Sequence, residues 1–131
     1  MIEIDGSYLE GGGQIIRTSV ALSCLTKKPI HIFNIRAGRK QPGLKAQHLA
    51  ALLAVGDLCN AKTQGAKIGS KEIYFHPNKI NREKLKINIS TAGSVGLVLQ
   101  TIFLVSVGLE KNLKIEIEGG GTFGKWSPSV A

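Results

Sequence analysis

Apolar residues recur along the chain with two different periods, and the change from one period to the other marks the predicted elements. Strict alternation, as in Ile2-Glu3-Ile4-Asp5, indicates a half-buried strand. Apolar residues spaced three and four apart indicate a helix with one buried face. On these criteria the first part of the chain contains, in order, a strand at 2–4, a helix at 14–25, a strand at 30–35, a helix at 45–58, and short strands near 61–66 and 72–76.

Two helices carry sharper expectations about burial. In the helix at 45–58 we expect one buried face, formed by Leu49, Leu52, Leu53 and Gly56. A later stretch, 95–107, is so rich in apolar residues that we expect a helix buried nearly all round. Gln100 lies in its middle. A buried amide must either bond to neighbouring backbone or face a pocket, because leaving it unsatisfied costs about 1–3 kcal/mol.

The order strand, glycine turn, apolar helix and strand occurs twice. Its second occurrence has a strand at 85–89, a turn at 91–94, the helix at 95–107 and a strand at 113–118. This recurrence favours a tandem array of small βαβαββ units over one α+β domain without repetition. We therefore expect residues 1–80 to form a first unit. Residues 81–131 should form the start of a second, truncated unit that ends in an irregular loop at 119–131.

The composition is that of a folded, basic protein. The chain has 131 residues, 43% of them apolar, and 17 Lys and Arg against 9 Asp and Glu give a net charge of +8. This surplus favours polyanionic partners such as nucleic acid, nucleotides or acidic membranes, although solvated surface lysines would give the same total. The first residues lack the pattern of a signal peptide, and the apolar run at 95–107 is shorter than the roughly 20 residues of a bilayer span. We expect a cytoplasmic protein without a membrane partner.

The glycines near the end of the sequence do not form a nucleotide-binding motif. Gly119, Gly121 and Gly124 match the dinucleotide-binding spacing, and Lys125 extends the match to the start of a P-loop. Both motifs need a helix that begins at the glycines, and a P-loop needs Ser or Thr where Trp126 stands. Both interpretations are therefore rejected.

The glycines at 11–13 are more informative, because charged residues flank them. Glycines before a helix let backbone amides approach an anion closely. Glu10 could hold a divalent cation, and Arg17, about one turn into the predicted helix, could contact phosphate. A flexible connection with solvated charges remains the alternative.

A basic loop follows the second predicted strand. Arg36 and Arg39 could clamp phosphate through bidentate guanidinium contacts, whereas a solvated loop is the simpler alternative. His48 comes soon afterwards. A lone histidine is more often packed or exposed than catalytic, and the same holds for His31 and His76.

Five short motifs follow one another along nearly the whole chain. They are Glu10-Gly-Gly-Gly-Gln-Ile-Ile-Arg17, Asn34-Ile-Arg-Ala-Gly-Arg39, Pro42-Gly-Leu44 with Gln47-His-Leu49, Thr91-Ala-Gly-Ser94 with Leu97-Val-Leu-Gln-Thr101, and Gly120-Gly-Thr122 with Pro128. Each motif alone is weakly specific, but their common order resembles that of RNA 3'-terminal phosphate cyclases.

This resemblance implies a reaction. Members of the family use ATP and a divalent metal, magnesium or manganese, to convert an RNA 3'-phosphate into a 2',3'-cyclic phosphodiester. A histidine becomes adenylylated, AMP passes to the RNA 3'-phosphate, and the neighbouring 2'-hydroxyl then displaces AMP. One difficult displacement is thereby split into easier ones. The implied partners are ATP and RNA with a 3'-phosphate end, and the resemblance leaves a homodimer open.

The resemblance also implies roles for single residues and a fold. Glu10 resembles the family's metal ligand, and it counts as catalytic together with the phosphate-binding residues Arg17, Arg36 and Arg39. The residues implied to bind ATP are Gly13, Gln47, Gln100 and Pro128, of which the last two resemble contacts to adenosine. The implied fold repeats a unit of two helices on a four-stranded sheet. It is similar to the C-terminal domain of translation initiation factor three and to enolpyruvyl transferase repeats.

The chain also departs from the family pattern. The family's nucleophilic histidine lies near the end of a chain well over twice as long, so we expect these 131 residues alone to be inactive. Ser127 replaces a usual alanine, and the expected Asp-Tyr pair after Pro128 is absent. A non-catalytic, cyclase-like ribosomal RNA processing factor and, less closely, an enolpyruvyl transferase remain alternatives. The charged residues from Glu10 to Arg39 favour the enzyme.

Overall fold

The residues that the structure describes form helices and two small sheets. The computed structural model describes residues 1–7, 13–80, 84–88, 95–109, 114–118 and 124–126. Their elements are β1 (Ile2–Asp5), α1 (Gly13–Thr26), β2 (Ile30–Phe33), α2 (Ala46–Leu58), β3 (Lys62–Gln64), β4 (Ile73–His76), β5 (Lys84–Asn88), α3 (Val95–Leu109), β6 (Lys114–Glu118) and β7 (Gly124–Trp126). Helices packed on a mixed sheet confirm the predicted α+β class.

The first sheet has the strand order β1-β2-β4-β3. β1 and β2 run parallel, with Ile4 opposite Ile32, so the chain must cross over between them, and α1 makes this connection. β4 pairs antiparallel with β2 on one side and with β3 on the other. With α2 between β2 and β3, the elements follow the predicted order βαβαββ.

The hydrophobic core lies between this sheet and the helices. Alternate residues of β2 and β4 are buried, and Ile32 and Phe75 are completely covered. α1 contributes Ile16 and Val20 to the same cluster, and α2 contributes Val55. The apolar residues placed by helix periodicity and by strand alternation therefore pack into the same core.

The buried face predicted for α2 is wrong in part. Leu52 and Gly56 are buried, but Leu49 is half-buried and Leu53 is 48% exposed. The buried residues of α2 are instead His48, Ala51, Leu52, Ala54, Val55, Gly56 and Leu58. α2 contacts both α1 and α3, and Leu53 lies outside its buried side.

The second sheet begins as the first one does. β5 and β6 are parallel, with Ile87 opposite Ile117, and α3 connects them. β7 pairs antiparallel with β6, so the order β5-β6-β7 corresponds to β1-β2-β4. The irregular loop predicted for 119–131 is therefore wrong at Gly124–Trp126, where the backbone pairs with β6. The unit boundary at residue 80 and the truncation of the second unit stay predictions.

α3 is not buried nearly all round, which corrects the expectation from its composition. It packs against α1 and α2, and this side carries Val98, Ile102 and Val105. Among the described residues nothing covers the opposite side, whose apolar residues are Phe103, Leu104 and Val107. Gln100 is exposed, so its amide does not need a protein partner. α3 is too short to cross a bilayer, and no other described helix is long and apolar enough to do so.

The outer face of the first sheet carries a histidine between two carboxylates. Nδ1 of His31 lies 2.5 Å from Oε2 of Glu3, and its Nε2 lies 2.9 Å from Oε2 of Glu72. The ring also stacks on Tyr74, with 4.1 Å between the centroids. The hydrogen bonds to Glu72 and Glu3 raise the pKa of His31 above its ordinary value. His31 thus ties three strands together.

Candidate anion-binding site

Arg36 organises the basic loop that precedes α2. It is 7% exposed, and its Nη1 donates hydrogen bonds to the carbonyl oxygens of Gln41 at 2.7 Å and Gly43 at 3.0 Å. The solvated-loop alternative is therefore wrong for Arg36, whereas Arg39 and Lys40 are exposed. The loop is built around a buried cation.

Gly43 lets this loop pack against a second one. Its φ is 91°, and an added Cβ would lie 2.3 Å from the carbonyl oxygen of Gly69. The amide of Leu44 donates to the carbonyl of Ser70 at 2.9 Å, and the amide of Gly69 donates to the carbonyl of Leu44 at 2.7 Å. The position of Arg36 therefore depends on a backbone approach that glycine permits.

An open cavity of about 410 Å³ lies where this loop enters α2. Its lining includes Arg36, Lys45 and Gln47, together with Pro42 and Ile68. Gln47 is in the first turn of α2, where backbone amides have no partner within the helix. The lining thus combines two cations, a side-chain amide and a helix start.

Arg17 approaches this region from α1. It is 9% exposed, and its Nη2 donates to Oε1 of Gln14 at 2.9 Å. Burial lowers the pKa of Arg17, but a guanidinium stays protonated at physiological pH. An added Cβ on Gly13 would lie 3.1 Å from its Nη1, so the charge sits beside the start of α1.

His48 lies between Arg17 and the basic loop. It is 3% exposed, and its Nδ1 accepts a hydrogen bond from the amide of Lys45 at 3.3 Å. Burial, followed by the charges of Arg36, Arg17 and Lys45, lowers the pKa of His48 to about 4. The imidazole is therefore neutral at neutral pH.

Sequence reasoning set His48 aside as a packed or exposed histidine. Packing is confirmed, but the residue is packed inside a cluster of charges rather than in an apolar core. Its place in the first turn of a helix, directly after a basic loop, was the one available signal. Its contact with Gly13 depends on tertiary structure, so the residues near it in the sequence do not indicate it.

These residues together make a site that suits a phosphate or polyphosphate. Arg17, Arg36 and Lys45 lie near enough to the neutral ring of His48 to lower its pKa, and all three charges are positive. The starts of α1 and α2 meet here, because Gly13 touches His48, and helix starts favour negative charge. Guanidinium groups bind phosphate through paired N–H donors.

The structure brings some of the predicted site residues together and not others. Four share the region just described, namely Gly13, Arg17, Arg36 and Gln47. Arg39 is exposed on the loop, and Gln100 is exposed on α3 and is not among the residues that line the cavity. Glu10 and Pro128 lie outside the described residues, so their roles stay predictions.

The described residues do not by themselves form a metal site. Among them, no group of three or more His, Cys, Asp or Glu side chains could hold a metal ion. The described residues therefore offer no alternative metal site, and the metal-binding role of Glu10 stays a prediction.

A family model and several curated proteins match the chain. The model, described as RNA 3'-terminal phosphate cyclase, matches residues 8–131. Proteins with this name from Methanopyrus kandleri and Pyrococcus furiosus are each 50% identical over 130 residues, and one from Saccharolobus solfataricus is 50% identical over 131. Each match covers 99% of this chain but only 37% or 38% of the relative. The chain thus spans less than two fifths of the length of these relatives. As the ordered motifs predicted, the chain belongs to the RNA 3'-terminal phosphate cyclase family.

Proposed function

We propose that this chain forms the phosphate-binding part of an enzyme that uses ATP to convert an RNA 3'-terminal phosphate into a 2',3'-cyclic phosphodiester. The observation that carries the proposal is the cluster of Arg17, Arg36 and neutral His48 beside the cavity at the start of α2. The reaction class comes from the family, whose curated members bear the name of this activity.

In this proposal Arg17 and Arg36 hold phosphoryl oxygens of ATP or of the RNA end. Both guanidinium groups are already fixed, one by Gln14 and the other by loop carbonyls. Fixed donors need little reorganisation as charge develops on the phosphoryl oxygens, which is the main way in which proteins accelerate phosphoryl and nucleotidyl transfer. Gln47 lines the cavity wall and offers an amide donor to the same ligand.

The finer proposal concerns the reaction route and rests on the family resemblance. A histidine of the enzyme attacks the α-phosphorus of ATP and releases pyrophosphate. AMP then passes from the histidine to the RNA 3'-phosphate, which frees the histidine, and the 2'-hydroxyl closes the ring and releases AMP. A divalent metal held by Glu10 would neutralise phosphate charge, and Gln100 and Pro128 would contact adenosine. We do not assign His48 as the nucleophile, because it is buried and its Nδ1 already accepts a hydrogen bond.

The activity is tested on the full-length gene product. It is incubated with ATP labelled at the α-phosphate, magnesium or manganese, and RNA with a 3'-phosphate. We expect acid-labile label on the protein and a cyclic RNA end. Arg17→Ala should slow labelling by roughly 100-fold or more, the usual effect of removing one fixed donor to a developing negative charge.

Lys28→Ala is the matched control for Arg17→Ala. Lys28 is exposed just beyond the far end of α1, so the substitution removes one positive charge away from the site. Normal labelling in Lys28→Ala together with loss in Arg17→Ala supports a local role for the arginine. Absence of both label and cyclic RNA in the unmodified protein, with either metal, contradicts the proposal and favours the ribosomal RNA processing factor.

Glu10→Ala addresses the metal separately. We expect weaker metal-dependent adenylylation with an unchanged circular dichroism spectrum, because a carboxylate that holds a cation is not needed to build the core. Unchanged activity over a metal titration would remove Glu10 from the site.

A further inference from the structure

His48 joins the starts of two helices. Its Nδ1 accepts the amide hydrogen of Lys45, the residue that precedes α2. A ring nitrogen that accepts a hydrogen bond does not carry the proton, so in the neutral ring Nε2 carries it. This opposite edge of the ring faces Gly13, the first residue of α1.

The ring of His48 occupies the space that a side chain at position 13 would need. An added Cβ on Gly13 would lie 2.1 Å from Nε2 and 2.4 Å from Cδ2 of His48. Atoms in ordinary contact are separated by about 3.5–4.0 Å, so a methyl group can be placed there only if the ring moves. The imidazole therefore packs directly on the backbone where α1 begins, next to Nη1 of Arg17.

The surrounding charges explain why a neutral ring suits this place. Arg17 of α1, Arg36 of the loop and Lys45 at the start of α2 all act on His48, and each disfavours its protonated form. A protonated ring would add a buried charge that repels the buried Arg17 and Arg36 and the exposed Lys45, whereas a neutral ring repels none of them. His48 therefore contributes a neutral ring that fills space beside Gly13, and it adds no charge to the site.

We propose that His48 is a positioning residue of the anion site, which fixes Gly13 and the adjoining Arg17 relative to Arg36 so that one polyphosphate can bridge both guanidinium groups. The inference deepens the proposed function and rests on its anion site, but it does not depend on the cyclase reaction. Removal of the ring leaves both arginines in the chain but lowers their joint affinity for a polyphosphate.

Inorganic tripolyphosphate is the probe, with binding to the chain measured by isothermal titration calorimetry at pH 7.5. His48→Ala and Gly13→Ala should each weaken binding roughly 10-fold, which corresponds to about 1.4 kcal/mol. The first removes the support of Gly13, and the second forces the ring away. In the double variant the new methyl group takes the space of the deleted ring, so binding should be no weaker than in the weaker single variant.

Two results would overturn this inference. One is a double variant whose loss equals the product of the two single losses, because the two positions would then act independently. The other is unchanged binding in His48→Ala. If tripolyphosphate binding depends on His48 as described but the full-length protein lacks cyclase activity, the inference stands and the proposed function fails.

His48→Asn separates positioning from general stability. Oδ1 of asparagine can replace Nδ1 as the acceptor for the Lys45 amide, but the shorter side chain does not reach Gly13. We expect a melting temperature near that of the unmodified chain, roughly 10-fold weaker tripolyphosphate binding and a shifted Nε–H signal of Arg17 in ¹⁵N NMR spectra. Unchanged affinity with an unshifted Arg17 signal contradicts positioning. If the His48 variants do not fold, Gly13→Ala alone decides, because tight binding in that variant is incompatible with the proposal.

Discussion

Gly43→Ala tests whether the close approach of two loops holds the basic loop in place. The φ of Gly43 is 91°, a left-handed conformation that costs alanine about 1 kcal/mol. The added Cβ would lie 2.3 Å from the carbonyl oxygen and 2.6 Å from the carbonyl carbon of Gly69, and backbone atoms cannot rotate away. The loops must separate, which weakens the hydrogen bonds that Leu44 makes with Ser70 and Gly69, each worth about 1 kcal/mol. The expected loss in free energy of unfolding is therefore about 3 kcal/mol.

Two other glycines of the same loops are matched controls. Gly69 has a φ of 84° but open space around an added Cβ, so Gly69→Ala should cost only the conformational part, about 1 kcal/mol. Gly38 lies outside the left-handed region and has nothing within 4 Å of an added Cβ, so Gly38→Ala should change stability by less than about 0.5 kcal/mol. Urea unfolding followed by circular dichroism measures all three. The reasoning is refuted if Gly43→Ala is as stable as Gly69→Ala.

Three further predictions concern pH and burial. His31→Gln should destabilise the protein more at pH 5.5 than at pH 8.5. Because the pKa of His31 is raised, its ion pairs contribute fully below the unfolded value of about 6.5 and are lost as pH rises through the folded pKa, at roughly 0.2–1 kcal/mol each. For His48 the dependence of stability on pH has the opposite sign. Its pKa of about 4 means that the fold loses roughly 3 kcal/mol as pH falls from about 6.5 to 4, so the unmodified chain should become less stable than His48→Asn in urea unfolding over that range. Phe75→Ala, at a completely covered position, should lower the free energy of unfolding by about 3–5 kcal/mol, and Leu53→Ala, at a 48% exposed one, by less than about 1. Equal losses in thermal melts would contradict the burial described for these two residues.

The order of helices and strands from β1 to β6 could be predicted because it depends on local periodicity, whereas β7 lies in a stretch without such a pattern and was missed. Ile30 and Ile32 alternate with polar or aromatic neighbours, and both turn inward as alternation requires. The side of a helix that is buried is a different question, because it depends on what packs against the helix. Leu53 fits an apolar face by spacing, yet it lies outside the side of α2 that is buried. The composition of α3 likewise gave its helical state but not its exposed side.

The candidate site divides along the same line. Arg17 and Arg36 could be found from the sequence, because an arginine beside a glycine-rich segment indicates a possible phosphate-binding group whatever the rest of the fold. The role proposed for His48 could not be found, since it rests on a contact with Gly13, which is distant along the chain. The hydrogen bonds of Arg36 to loop carbonyls were also hidden, because backbone acceptors leave no mark on the residue types around them.

Those carbonyl acceptors have a consequence for how the site can change over time. Every amino acid supplies a carbonyl group, so the hydrogen bonds that Arg36 makes to Gln41 and Gly43 do not specify which side chains the loop carries. The shape of the loop needs arginine at its start and glycine at its end, while the side chains between them are exposed. Substitutions at the exposed positions would therefore change the surface of the loop without removing the carbonyl groups that hold the buried charge. The exposed surface of this loop and the position of its buried charge can thus change independently of each other.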